Sequence, residues 1–129
     1  MNGRVLLDTN IVIAFFAQEP VVLQNMQAVE KFFISSIVLG ELYFGARKSG
    51  RLAQNLKRID ELAATMAILG CDVATAQHYG QIKDMLRQKG RPIPENDIWI
   101  AAIASQHDLT LVTRDAHFDQ IEDLTVIAW

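Results

Sequence analysis

The chain has a single cysteine, Cys71, so no disulfide can close within it. With no basic stretch and long apolar core at the opening residues to mark an export signal, this points to a reducing cytoplasm. There are only three prolines and no low-complexity tract, which argues against disorder. No apolar run approaches the ~20 residues of a membrane span. Lys and Arg total 12 against 15 Asp and Glu, a net charge of −3. That balance excludes a bulk electrostatic nucleic-acid binder, though not an enzyme with local basic patches. One cysteine and three scattered histidines make no zinc site.

What is present is an ordinary globular mixture, half of it hydrophobic, over 129 residues. That length suits one domain, 1–129, with a proper core. The apolar run Val5-Leu6-Leu7 enters Asp8-Thr9-Asn10 and reads as a strand buried on both faces. Asp8 or Asn10 is placed to cap a helix starting near Ile11. Pro20 opens a second helix, to about Glu30. Phe32–Ser35 reads as a strand, with Ser36 capping a helix through Ala46. A stripe of Leu52, Leu56, Ile59, Leu62 and Met66 predicts a helix from about 52 to 68. A brief strand is expected at Gly70–Val73, then a helix to about Lys89. Pro94-Glu95-Asn96-Asp97 opens a last long, buried helix to about Gln106. Strands follow at Leu109–Thr113 and Thr125–Ala128. Strands alternating with helices predict an α/β fold with a mostly parallel central sheet of four to five strands, flanked by helices.

Three carboxylates stand alone in greasy segments. Asp8 is the only charge between Arg4 and Glu19, Glu41 the only one from Phe32 to Ala46, and Asp97 the only one from Asn96 to Gln106. A fourth, Asp115, directly follows a strand, with Asp119 nearby. Each has a plain structural explanation: a helix cap, an arginine partner, first-turn amides, a turn residue. Together they are harder to dismiss, because burying several like charges is costly unless a cation offsets the cost. Oxygen-only ligands suit Mg²⁺ or Mn²⁺. Such a cluster at the carboxyl edge of a sheet is equipment for phosphodiester hydrolysis.

These residues resemble the PIN-domain ribonucleases, specifically the VapC-type toxins of bacterial toxin–antitoxin pairs. Leu6-Leu7-Asp8-Thr9-Asn10 matches the opening motif, and Ile34-Ser35-Ser36-Ile37-Val38-Leu39-Gly40-Glu41-Leu42 the second acidic motif, with Tyr43-Phe44-Gly45 continuing it. Asn96-Asp97-Ile98 with Ala101-Ala102 matches the third. Thr113-Arg114-Asp115 with His117-Phe118 matches the fourth. The strength lies in all four occurring in order over the whole chain.

The resemblance implies a PIN-like fold and a metal-dependent endoribonuclease in which Asp8, Glu41, Asp97 and Asp115 hold Mg²⁺ or Mn²⁺. Asn96 and Thr113, and with them Thr9 and Asn10, are expected to orient carboxylates or water. The basic turns at Arg47, Lys48, Arg51 and at Arg87, Lys89, Arg91, together with Arg114, are candidates for RNA contact. The implied substrate is structured RNA such as tRNA or rRNA. The implied partners are a VapB-type antitoxin and a second copy of the chain, with no membrane.

Rival readings are a haloacid-dehalogenase phosphatase, a receiver domain, a PIN-like module without catalysis, and an RNA-processing PIN nuclease outside toxin systems. The phosphatase needs a second carboxylate two residues after Asp8, where this chain has Asn10. The receiver needs a phospho-accepting Asp on a middle strand, which has no counterpart here.

Overall fold

The computed structural model describes residues 3–129. Its order is β1 (Arg4–Leu7), α1 (Thr9–Phe16), α2 (Pro20–Ala28), β2 (Lys31–Ser35), α3 (Ser36–Lys48), α4 (Leu52–Thr65), β3 (Ala67–Leu69), α5 (Val73–Lys89), α6 (Glu95–Gln106), β4 (Thr110–Val112) and β5 (Val126–Ile127). A 3-10 turn over Ala116–Gln120 joins the last two strands.

The sheet order is β3-β2-β1-β4-β5, and every pairing is parallel. β1 is therefore central, as its unbroken apolar run requires; Val5 and Leu6 are fully buried and Leu7 nearly so. α6 supplies the densest part of the core. Ile100, Ala101, Ala102, Ile103 and Ala104 have no exposed surface, so its lack of a polar face reflects contact on all sides.

Three expectations are corrected. Ser35, not Ser36, caps α3: its hydroxyl accepts from the Val38 amide, three residues on, and Ser36 is the first helical residue. The third strand lies at 67–69, not at 70–73, because α4 ends at Thr65 and Ala67–Leu69 pair with Phe33–Ser35 at the sheet edge. Asp72 is instead the cap of α5, in a reciprocal capping box with Thr75. α2 stops at Ala28, two residues short of the expected end.

Because all strands run the same way, the chain leaves β1, β2 and β4 at one edge of the sheet. Asp8, the start of α3 and Thr113 are delivered there together, at the carboxyl edge where open parallel sheets bind ligands.

Candidate active site

Asp8 follows β1, Thr113 follows β4, and the two strands are paired through Leu7 and Val112. The Asp8 amide donates to the Val112 carbonyl at 3.0 Å, extending that ladder by one bond. Asp8 is 5% exposed. Its Oδ1 accepts from the Thr9 amide at 2.8 Å, and its Oδ2 from the Thr113 hydroxyl at 2.7 Å. Asp8 thus caps α1 and faces the cluster at once. Its hydrogen-bond partners are a neutral amide and a neutral hydroxyl. Burial pushes its carboxyl above the ordinary range. The bonds to Thr113 and Thr9 pull the other way, and the charges of Asp97 and Glu41 add to the rise.

Glu41 sits on the inner face of α3, and its partner there is a hydroxyl rather than the arginine of the plain structural reading: Thr9 Oγ1 donates to Glu41 Oε1 at 2.7 Å. Thr113 Oγ1 has one proton, spent on Asp8, and accepts from the Asp115 amide at 3.0 Å and more weakly from Asn10 Nδ2 at 3.4 Å. The Asn10 side-chain Oδ1 accepts from the Arg114 backbone amide at 3.3 Å. Thr9, Asn10 and Thr113 therefore tie the ends of β1 and β4 to three acidic positions.

Asp97 lies in the first turn of α6, with 13% of its side chain exposed. Asp115 caps the 3-10 turn and accepts from the His117 amide at 2.9 Å. His117 Nδ1 lies 3.0 Å from Asp97 Oδ2 and 3.1 Å from Asp115 Oδ1. Burial raises the Asp97 carboxyl above its ordinary value; His117 opposes this, while Asp115 and Glu41 reinforce it. His117 is correspondingly raised, first by its bond to Asp97. The sequence placed His117 in a motif but gave it no part in the site; its reach back across twenty residues to Asp97 is visible only in the fold.

Asn96 is exposed and lines a groove beside Glu41 with Ser36, Phe44 and Lys48. The Lys48 ammonium lies 4.6 Å from the Phe44 ring centre. Arg47 and Arg51 are exposed at the α3–α4 turn, and Arg91 is exposed after α5. Other basic candidates carry acidic partners: Arg87 with Asp84, Lys89 with Glu122, and Arg114 with Glu19 and the Trp129 carbonyl. Asp119 is exposed on the 3-10 turn. A second groove runs from Thr9 and Glu41 between α1, α3 and α4, past Ile13, Phe16 and Arg58. Arg58 carried no sequence signal beyond lying on the charged face of its helix.

The donor set fits a hard divalent cation. Asp8 is buried and Asp97 largely so; Asp97 and Glu41 hold back the ionisation of Asp8, and Asp115 and Glu41 that of Asp97. A divalent cation relieves all of these penalties together.

A sequence profile of the PIN domain matches residues 5–124, and the chain belongs to that family. Within it the chain groups with the VapC ribonucleases, which makes it an endoribonuclease. It is 36% identical to the ribonuclease VapC2 of Haemophilus influenzae, across 98% of both chains. It is 33% identical to the tRNA(fMet)-specific endonuclease VapC of Shigella flexneri, again across 98% of both. The crystal structure of VapBC2 from Rickettsia felis bound to a promoter DNA fragment superposes with a TM-score of 0.90, at 31% identity and 98% coverage of each chain. The family also removes the phosphatase and receiver readings. Among the described residues, no helix is long and apolar enough to cross a membrane.

Proposed function

We propose that this chain is the toxin of a toxin–antitoxin pair and hydrolyses phosphodiester bonds of structured RNA, tRNA or rRNA, using Asp8, Glu41, Asp97 and Asp115 to hold Mg²⁺ or Mn²⁺. The observation that carries this reading is Asp8: a nearly fully buried carboxylate whose partners are neutral, with two further carboxylates raising its pKa. When bound, a divalent ion supplies an activated water and stabilises charge on the phosphate in the transition state.

The chain's own residues prepare that chemistry. Thr113 and the Thr9 amide fix both oxygens of Asp8, and Thr9 fixes Glu41 with its hydroxyl. Asp115 is oriented by the turn it caps. Such outer contacts keep carboxylates in one rotamer, so little reorganisation remains for the reaction. Lys48 and the exposed Phe44, in the groove beside Glu41, are suited to a phosphate and a base respectively.

The groove between α1, α3 and α4 suits a VapB-type antitoxin. It has apolar walls, includes the exposed Ile13, and opens onto Glu41. An arginine from such a partner would bridge the carboxylates with its planar fork. Residues 1–129 act as one domain, in the cytoplasm, as a homodimer and in a hetero-oligomer with the antitoxin.

The test is an RNA-cleavage time course with total tRNA and rRNA, run with EDTA and then with Mg²⁺ or Mn²⁺ restored. Cleavage should stop with chelator, return without zinc, and be silenced by the co-purified antitoxin. Cleavage that persists in EDTA, or a complex as active as the free chain, overturns the reading.

A further inference from the structure

We propose that His117, through Nδ1, is a direct nitrogen ligand of the divalent ion shared by Asp97 and Asp115; this rests on the reading of those two aspartates as metal ligands. The three donor atoms all lie within 4.8 Å of one another. Nδ1 is 3.0 Å from Asp97 Oδ2 and 3.1 Å from Asp115 Oδ1. An octahedral ion with bonds of about 2.1 Å sets neighbouring ligand atoms about 3.0 Å apart, the edge of the octahedron. Both spacings thus match adjacent ligand positions on one ion.

The placement of the ring is built in by the backbone. Asp115 caps the turn by accepting from the His117 amide, and that same turn folds the imidazole back over Asp97. Half of the His117 side chain is exposed, which leaves an ion and a substrate a way in. With the proton on Nε2, Nδ1 offers its lone pair to the ion while Nε2–H remains free for substrate or solvent. An imidazole among carboxylates changes which ion is preferred. Oxygen ligands alone suit Mg²⁺ and Mn²⁺ alike, whereas a nitrogen donor suits hard Mg²⁺ least, so the site shifts from Mg²⁺ toward Mn²⁺ and, further along the series, Co²⁺.

The test is pulsed EPR of the Mn²⁺-loaded full chain, at natural abundance and with ¹⁵N-histidine. A ¹⁴N coupling of directly bonded imidazole should appear, be replaced by its ¹⁵N counterpart on labelling, and vanish in His117→Ala. Mn²⁺ affinity should fall by ~10–100-fold in that variant, and Mg²⁺ affinity by less. His117→Gln keeps a hydrogen-bonding group toward the carboxylates but no imidazole, and should not restore the Mn²⁺ affinity. Mn²⁺ bound with no nitrogen coupling overturns the ligand role and leaves the metal-nuclease reading standing. So does a coupling that survives in His117→Ala, or full affinity in His117→Gln. Failure of the wild-type chain to bind Mn²⁺ at all overturns both.

Discussion

The hydroxyl of Thr113 donates to Asp8 Oδ2 at 2.7 Å, joining two residues 105 positions apart at the ends of adjacent strands. It is the only proton the Thr113 side chain has to give. In Thr113→Val the shape is kept and the donor removed, leaving a buried carboxylate one bond short. The variant should lose about 1.5–3 kcal/mol near neutral pH without metal, the range for a hydrogen bond to a charged group. Thr113→Ser should recover most of it. Denaturant melts in EDTA decide the point, and equal stability of Val and wild type sinks it.

Thr9 makes the matching contact to Glu41. Thr9→Val should leave the melting curve within ~0.5 kcal/mol, because a partly exposed carboxylate regains water. RNA cleavage should nonetheless fall ~10–100-fold, with a weaker metal dependence, since an unpinned ligand must be ordered at each binding event. An unchanged metal titration would show that Glu41 needs no support.

Asp97→Asn separates function from folding. The amide keeps the shape, and one charge leaves a group of like charges. In EDTA the variant should be at least as stable as wild type, since the pair it breaks with the half-exposed His117 contributes little. Cleavage with Mn²⁺ should drop by more than the ~100-fold that an outer-shell partner costs. If Asp97 served only its helix, Asn would do nearly as well and activity would survive.

Metal-free stability should fall as pH rises above 6.5, the ordinary value of the one imidazole in the cluster. His117 is raised above 6.5, so its contribution is full below that value and lost as pH climbs through the folded pKa. Asp8 and Asp97 are raised above 3.8, so the folded state holds their protons more tightly and is penalised, with the same sign, as pH climbs from 3.8 through their folded values. The exposed acids lowered by partners, Glu19, Asp72 and Glu95, act only at lower pH, as they become protonated. Saturating Mn²⁺ should flatten or reverse the slope, because its ligands must be deprotonated. A metal-free melting temperature that rises with pH across this window contradicts the assignment.

The sequence carried the sheet and its central strand because Val5-Leu6-Leu7 is wholly apolar and Leu109–Val112 nearly so, each sharply bounded by charged or polar residues. The third strand escaped because Ala67-Ile68-Leu69 is three half-buried residues with no alternation, and the apolar stripe of the preceding helix runs into it. The cap of α3 was off by one because two serines stand side by side, and only backbone angles choose between them. The isolation of Asp8, Glu41 and Asp97 was legible because a lone charge in a greasy segment is costly. The wiring between them was not. Thr9 to Glu41, Thr113 to Asp8 and His117 to Asp97 are contacts across the fold, and no local pattern encodes them.

The sheet order has a consequence for synthesis. The central strand is made first, yet one of its neighbours, β4, emerges about a hundred residues later. A nascent chain carries Asp8 and Glu41 long before Asp97, Thr113 and Asp115 exist to meet them. On the proposed reading of the site, a nascent chain that lacks these residues is inert for most of its translation. The cutting edge closes only once β4 slots in beside β1, which gives a cell making a nuclease against its own RNA an interval in which to have the antitoxin at hand.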